Sequence, residues 1–364
     1  MGRAGTRPEA ARRGWRSAVL VLVCMPAGGM AQTSARPGRV PGAGQEGADT
    51  TARVIVGPGW IAGPDWRARV GWGVVEAHRT VRPQDGPLSL EVGGGFSGIE
   101  VANWFGMGNG TDRSLGARAY GVDLDALRVE SRLVARLGGG AQVEVGTYAV
   151  RTWSRAKDLD GLFRSARDTL YGADTFVRFG AMAAFQLDRR EHGTGATRGT
   201  LLRVTVRGSP PIQDVRKAYA RTDAEVRAYL PVGGAPGAPG LAVRAGGAKL
   251  FGPFPMQDAA FLGGRRTLRG WQSERFAGDA SLYASVEARV PLRRAGGPLA
   301  GALGVFGHAD VGRVYVGGAS PGGWHAGFGG GAWIAPDRWR NTLALGLAFS
   351  PEGPRLYAGL DFPF

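Results

Sequence analysis

The stretch SLYASVEARVPL, residues 281–292, decides how the chain folds. Leu282, Ala284, Val286, Ala288 and Val290 form one apolar set, and Ser281, Tyr283, Ser285, Glu287 and Arg289 fall between them. Side chains of an extended strand point alternately to opposite faces, so this period of two lays an apolar and a polar face along one strand. The pattern returns elsewhere. Val177, Phe179, Ala181, Ala183 and Phe185 alternate with Arg178, Gly180, Met182 and Gln186. Leu202, Val204 and Val206 oppose Arg203, Thr205 and Arg207, and Arg221, Asp223, Glu225 and Arg227 alternate with Ala220, Thr222, Ala224 and Val226. No comparable helical periodicity runs along the chain.

A soluble β-sandwich alternates too, with its apolar face inward. Three features favour a barrel in a membrane. Residues 1–31 read as a secretion signal: Arg12, Arg13 and Arg16 precede the short apolar run SAVLVLVCMPAGG, and GMA stands before Gln32. The alternating segments reach about ten residues or more, enough to cross a bilayer as tilted strands. Their polar faces set arginine against acid, as a polar lumen does. Lipid supplies no hydrogen-bond partner, so strands cross it only as a closed barrel.

Charge and cysteine usage narrow the chemistry. The 364 residues carry a formal charge of +15, and removing five arginines and one glutamate with residues 1–31 leaves +11. The basic charge is nearly all arginine; Lys157, Lys217 and Lys249 are the lysines. On an exported chain this balance points to lipid and lipopolysaccharide phosphates, or to charges paired within a lumen, and away from nucleic acid. Cys24 is the one cysteine, inside the signal, and Val23 before it is not the small residue a lipoprotein anchor wants. The chain beyond it has no disulfide, thiol nucleophile or cysteine-ligated metal.

Residues 32–51, rich in Gly and Pro, read as a flexible lead-in, and residues 52–364 as one barrel domain. Strands are expected near 121–137, 141–155, 173–188, 198–208, 218–231, 239–252, 279–293, 299–315, 323–335, 340–350 and 354–364. Weaker candidates are RVIVGPGWIA, WRARVGWGVVEA, PLSLEVGGGFSG and IEVANWFG. That gives 14 to 16 strands. An even number is the rule for such barrels, and sixteen fits the 333 residues after position 31 at about 21 per strand and connection. The fold expected is all-β, a 16-stranded antiparallel transmembrane β-barrel. Trp60, Trp66, Trp153, Trp324, Trp339 and Tyr357 are placed as interfacial girdle residues. In RLYAGLDFPF, residues 355–364, a strand runs to the last residue; Tyr357, Gly359, Phe362 and Phe364 resemble the C-terminal signal read by the outer-membrane assembly machinery.

Just before the deciding strand the chain reads LGGRRTLRGWQSERFAGDA. Leu268, Arg269, Gly270 and Trp271, followed by Glu287 before Pro291 and by Asp310 and Gly312 in HADVG, resemble the bacterial surface antigen superfamily of BamA, TamA and the two-partner secretion transporters. The resemblance is specific over 239–364; upstream, WFGMGNGT at 104–111 is similar to an early-strand signature of some members. His308 departs from the aromatic or glycine that the family places before the aspartate. The resemblance implies a sixth extracellular loop folded into the lumen, with Arg269 contacting Glu287 and Asp310 on the wall. It also implies insertion of proteins into the outer membrane or movement across it, with a client polypeptide or a separate periplasmic partner. Only some 20 to 35 residues separate Gln32 from the first strand, too few for the periplasmic POTRA domains of the assembly factors, so a barrel-only member is expected.

Other chemistry finds little support. GMGNG at 106–110 opens no helix and reads as a turn between strands rather than a phosphate loop. His78, His192, His308 and His325 lack metal-ligand spacing. Ser285, His308 and Asp310 supply the residue types of a hydrolase triad without its motif. No enzyme activity and no cofactor are expected. The alternative function is a passive pore or structural barrel, with Arg203, Arg207, Arg221, Arg227 and Arg289 favouring anions.

Overall fold

The structure, a computed structural model, describes residues 60–62, 66–71, 74–81, 86–115, 117–158, 160–191, 198–233, 239–297, 300–337, 342–360, 362 and 364. The signal, the lead-in, positions 52–59, His192 and Trp339 lie outside the described residues.

The strands are β1 (Trp60–Ala62), β2 (Trp66–Gly71), β3 (Val74–Val81), β4 (Leu88–Asn103), β5 (Gly121–Gly138), β6 (Ala141–Ala156), β7 (Thr175–Asp188), β8 (Gly199–Ser209), β9 (Tyr219–Pro231) and β10 (Gly240–Phe251). After them come β11 (Ala260–Leu262), β12 (Phe276–Gly278), β13 (Ala280–Ala295), β14 (Gly301–Tyr315), β15 (His325–Pro336), β16 (Leu343–Ser350) and β17 (Gly353–Leu360). One short helix, α1 (Leu162–Ala166), sits between β6 and β7. Of the sixteen sheet strands expected, fifteen are described, in one antiparallel sheet in chain order from β1 to β17; β11 and β12 pair separately inside the loop between β10 and β13. Among the described residues β1 and β17 are the sheet's edges.

Alternation decides what each face meets. On β13, Leu282 and Val286 are exposed while Ser281, Ser285, Glu287 and Arg289 are buried. The exposed face continues through Leu127, Val129, Leu133, Val145, Phe179, Phe185, Leu202, Val206, Val226 and Leu345. An apolar face this wide, turned away from the buried polar face, is the lipid-facing band of a transmembrane barrel. Strands of 18 residues in β5 and 16 in β6 and β13 exceed the span required.

The connections differ at the two ends. The β5–β6 turn is short, whereas long segments join β4 to β5, β6 to β7 and β10 to β13. The long segments share an apolar core of Trp104, Val122, Phe163, Met256, Ala259 and Ala277.

Four expectations are corrected. PLSLEVGGGFSG and IEVANWFG form the single strand β4, because a bulge between Ser97 and Glu100 bends the strand without ending it. WRARVGWGVVEA divides into β2 and β3, which pair tightly with Gly71 opposite Val74. Tyr357 is not an interfacial girdle residue, since its hydroxyl accepts a hydrogen bond from the Gly270 amide at 2.7 Å inside the barrel. Finally, β17 ends at Leu360 and does not run to the last residue. Pro363 carries no amide hydrogen with which to continue a ladder, and both Phe362 and Phe364 lie against interior side chains.

Candidate functional site

The loop between β10 and β13 turns into the barrel. Its base is the short β11–β12 ladder, with Ala260 opposite Gly278. Its tip is a tight turn in which the Leu268 amide donates to the Gly264 carbonyl at 3.2 Å and the Gly264 amide to the Trp271 carbonyl at 3.1 Å. Leu268 is fully buried with Leu262, Trp271, Phe276 and Val314, so an apolar knot fixes the turn from which Arg269 projects.

Arg269 is met on two strands at once. Its Nε and Nη2 donate to the two Asp310 carboxylate oxygens at 2.7 and 2.8 Å, its Nη1 donates to Glu287, and its backbone amide adds a bond to Asp310 at 3.0 Å. Arg269, Glu287 and Asp310 are 2 %, 0 % and 3 % exposed, so nearly all of this lies away from solvent. A guanidinium matches a carboxylate with two parallel N–H···O bonds, which fixes orientation as well as charge. Burial alone would lower the Arg269 pKa, but the hydrogen bond and charge of Asp310, with Glu287, raise it above the usual guanidinium value. The second Glu287 oxygen accepts from Arg289 Nε at 2.8 Å. Two arginines and two carboxylates thus form a neutral buried quartet.

The neighbouring residues make the approach feasible. Gly270 has φ +89°, a conformation that a side chain resists, and a Cβ there would lie 2.6 Å from the Phe349 carbonyl oxygen. Ser350 donates to the Gly270 carbonyl at 2.7 Å, and the Trp271 indole N–H donates to the Ala326 carbonyl at 2.9 Å. Gly312 leaves room for Leu262, whose Cδ1 would stand 2.9 Å from a Cβ at that position. His308, the departure from the resembled pattern, is buried with its Nδ1 3.5 Å from Asp310. Ser285 accepts from Arg244 Nη2 at 3.1 Å. Gly359 lies against Arg265, whose Nη2 donates to the Leu360 carbonyl at 3.2 Å.

The structure therefore brings Leu268, Arg269, Gly270, Trp271, Glu287, Asp310, Gly312 and Tyr357 together around one loop tip. Gly359 is adjacent through Arg265, and Phe362 and Phe364 reach the same quartet through Arg289. Alternation did not reveal a second anchor, Arg275. It is buried between the rings of Phe105 and Phe276, at 4.7 and 4.9 Å, and donates to Glu352 at 2.5 Å and to the Thr111 carbonyl at 2.7 Å. WFGMGNGT also contacts the loop. Gly108 donates to the Ala277 carbonyl at 2.7 Å, and Asn109 bonds both the amide and the carbonyl of Val314. Its resemblance to an early-strand signature marked this stretch in the sequence.

The lumen arginines expected to draw anions each face an acid. Arg203 lies 3.5 Å from Glu144, Arg207 3.7 Å and Arg221 2.7 Å from Asp223, and Arg227 2.6 Å from Glu225. Arg289 is the Glu287 partner already described.

Residues 111–347 match the Omp85 superfamily domain. No curated protein matches the chain in sequence. Among solved structures, BamA from Haemophilus ducreyi lacking POTRA domains 1–3 is similar at TM-score 0.57 and 14 % identity, covering 82 % of this chain and 62 % of that one. CdiB from Escherichia coli is similar at TM-score 0.53 and 12 % identity, covering 80 % of this chain and 52 % of that one. The chain thus spans less than two thirds of the length of either, and at such identities the likeness speaks for the fold.

Proposed function

Because the chain belongs to the Omp85 superfamily, and so is an outer-membrane barrel of the Gram-negative type, we propose that it inserts proteins into the outer membrane or passes them across it. The observation that carries this reading is the loop tip held inside the barrel, with Arg269 bound by Glu287 and Asp310. A loop tip fastened to the inner face of β13 and β14 obstructs the passage that a freely open channel would keep clear. The client is an outer-membrane or exported polypeptide. Its extended strand pairs at the edge of β17 or β1, where a row of backbone donors and acceptors is offered. Lipid and lipopolysaccharide contact the apolar band.

The passive, anion-favouring pore draws less support, because each arginine invoked for it lies within ion-pair distance of a carboxylate, Arg207 and Arg221 sharing Asp223. Reconstitution tests the two readings. Vesicles holding the purified barrel should speed the folding of a urea-denatured outer-membrane protein into a protease-resistant form, relative to empty vesicles, and Arg269→Ala should abolish the gain. Absence of any gain, together with stable open anion-selective channels in planar bilayers, would establish the passive pore instead.

A further inference from the structure

Beyond Leu360 the interior receives two aromatic rings that belong to no strand. Phe364 is 6 % exposed and packs with Tyr229 and Ala242, on β9 and β10. The Arg244 guanidinium lies 4.5 Å from the Phe364 ring centre, and Arg289 Nη2 donates to a main-chain oxygen of Phe364 at 2.6 Å. Phe362 sits edge-on to Phe306 and Trp333, at 6.0 and 5.9 Å, with the Arg289 guanidinium 3.9 Å from its ring centre. β17 forms the sheet's edge, whereas β9, β10 and β13 lie several strands away in the sheet. The two phenylalanines therefore join the edge strand to a distant part of the wall.

Arg244 shows why a ring is wanted there. Its side chain is 2 % exposed, yet its carboxylate contact, Glu225, is 3.9 Å away and its Nε has no hydrogen-bond partner. A buried guanidinium so weakly paired is costly, and the negative face of an aromatic ring offsets part of that cost. Tyr283 supplies one ring at 5.0 Å and Phe364 the other. Arg289 adds a second link, since the guanidinium that carries Phe362 and Phe364 also bonds Glu287, the partner of Arg269.

We propose that the Arg244–Arg289 cleft is a binding site for an aromatic side chain whose resident is the chain's own Phe364, making Phe362 and Phe364 a releasable latch between the β17 edge and the Arg269 loop. With the latch seated, β17 stops at Leu360 and Arg289 is braced against Glu287. With it withdrawn, the rings of Phe362 and Phe364 leave the interior, and the quartet around Arg269 loses its aromatic support. The latch is a property of the barrel and holds whether the client is inserted or translocated.

The test uses the full chain refolded into lipid vesicles and planar bilayers, so that no cellular assembly step intervenes. A photoreactive benzoyl-phenylalanine at position 364 should crosslink to the peptides holding Tyr229 or Ala242. Arg244→Met leaves the end of the chain intact and should cut that yield several-fold. Phe364→Ala and Arg244→Met should each raise the frequency of channel openings about tenfold, the loss of a desolvated cation–aromatic contact, while Phe364→Trp should restore the quiet state. Crosslinks from position 364 only to lipid or to β1 would overturn the latch. So would openings unchanged in both Phe364→Ala and Arg244→Met.

Discussion

Arg269 gains its hold from having two carboxylates on two neighbouring strands, Glu287 on β13 and Asp310 on β14. Removing either end of such a buried pair leaves a charge without its partner, at a cost of roughly 3–5 kcal/mol. Arg269→Ala and Asp310→Ala should each lower the temperature at which the folded band is lost in heat-modifiability gels. The double variant should fall well short of the summed effects, because the second substitution removes a charge already stranded. Equal mobility and equal protease resistance in all three would sink the pairing. Gly270→Ala should weaken the loop by another route, forcing a side chain into a positive φ and against the Phe349 carbonyl. Tyr357→Phe removes one hydrogen bond to the Gly270 amide and should cost about 1 kcal/mol, read from the same gels.

At the scale of the element, strands were readable because period-two alternation is imposed locally by the pleat and globally by lipid on one side. From β5 onward the expected spans fall within a few residues of those observed, apart from the chain's end. Where glycine replaced the apolar residues, in LEVGGGFSG, the alternation faded and one bulged strand read as two. The Arg269 site was legible through its resemblance to a known pattern; alternation alone put Glu287 on the polar face but could not pair it. Arg275 and the Phe364 cleft were not legible, because each depends on loops or chain ends distant in sequence meeting in the interior. Arg275 yields its own prediction. Held between Phe105 and Phe276 and bonded to Glu352, it ties the β10–β13 loop to the β4–β5 and β16–β17 connections. Arg275→Ala should speed hydrogen exchange in residues 104–111 and 351–352 while leaving exchange near Asp310 unchanged. A uniform rise over the whole barrel would mean that the residue serves general stability instead.

For the whole molecule, the proposed function turns on which part of the wall a client strand would meet. Every sheet strand from β2 to β16 has a neighbour on both sides, while β1 and β17 each lack one neighbour among the described residues. In hydrocarbon an unpaired strand edge is expensive, so an incoming strand that pairs there is favoured over lipid. Leu356 on β17 points outward and is 71 % exposed; Leu282 on β13 also points outward, 48 % exposed, but in the interior of the sheet. A photoreactive residue at 356 should capture a nascent outer-membrane barrel protein in cells depleted of that protein's chaperones. The same probe at 282 should capture only lipid. If capture occurs equally at both positions, the client approaches the apolar band without regard to strand pairing and the edge has no special role. If neither position captures a polypeptide while the Arg269 variants still lose their heat resistance, the loop fastens a barrel that carries no client along its wall.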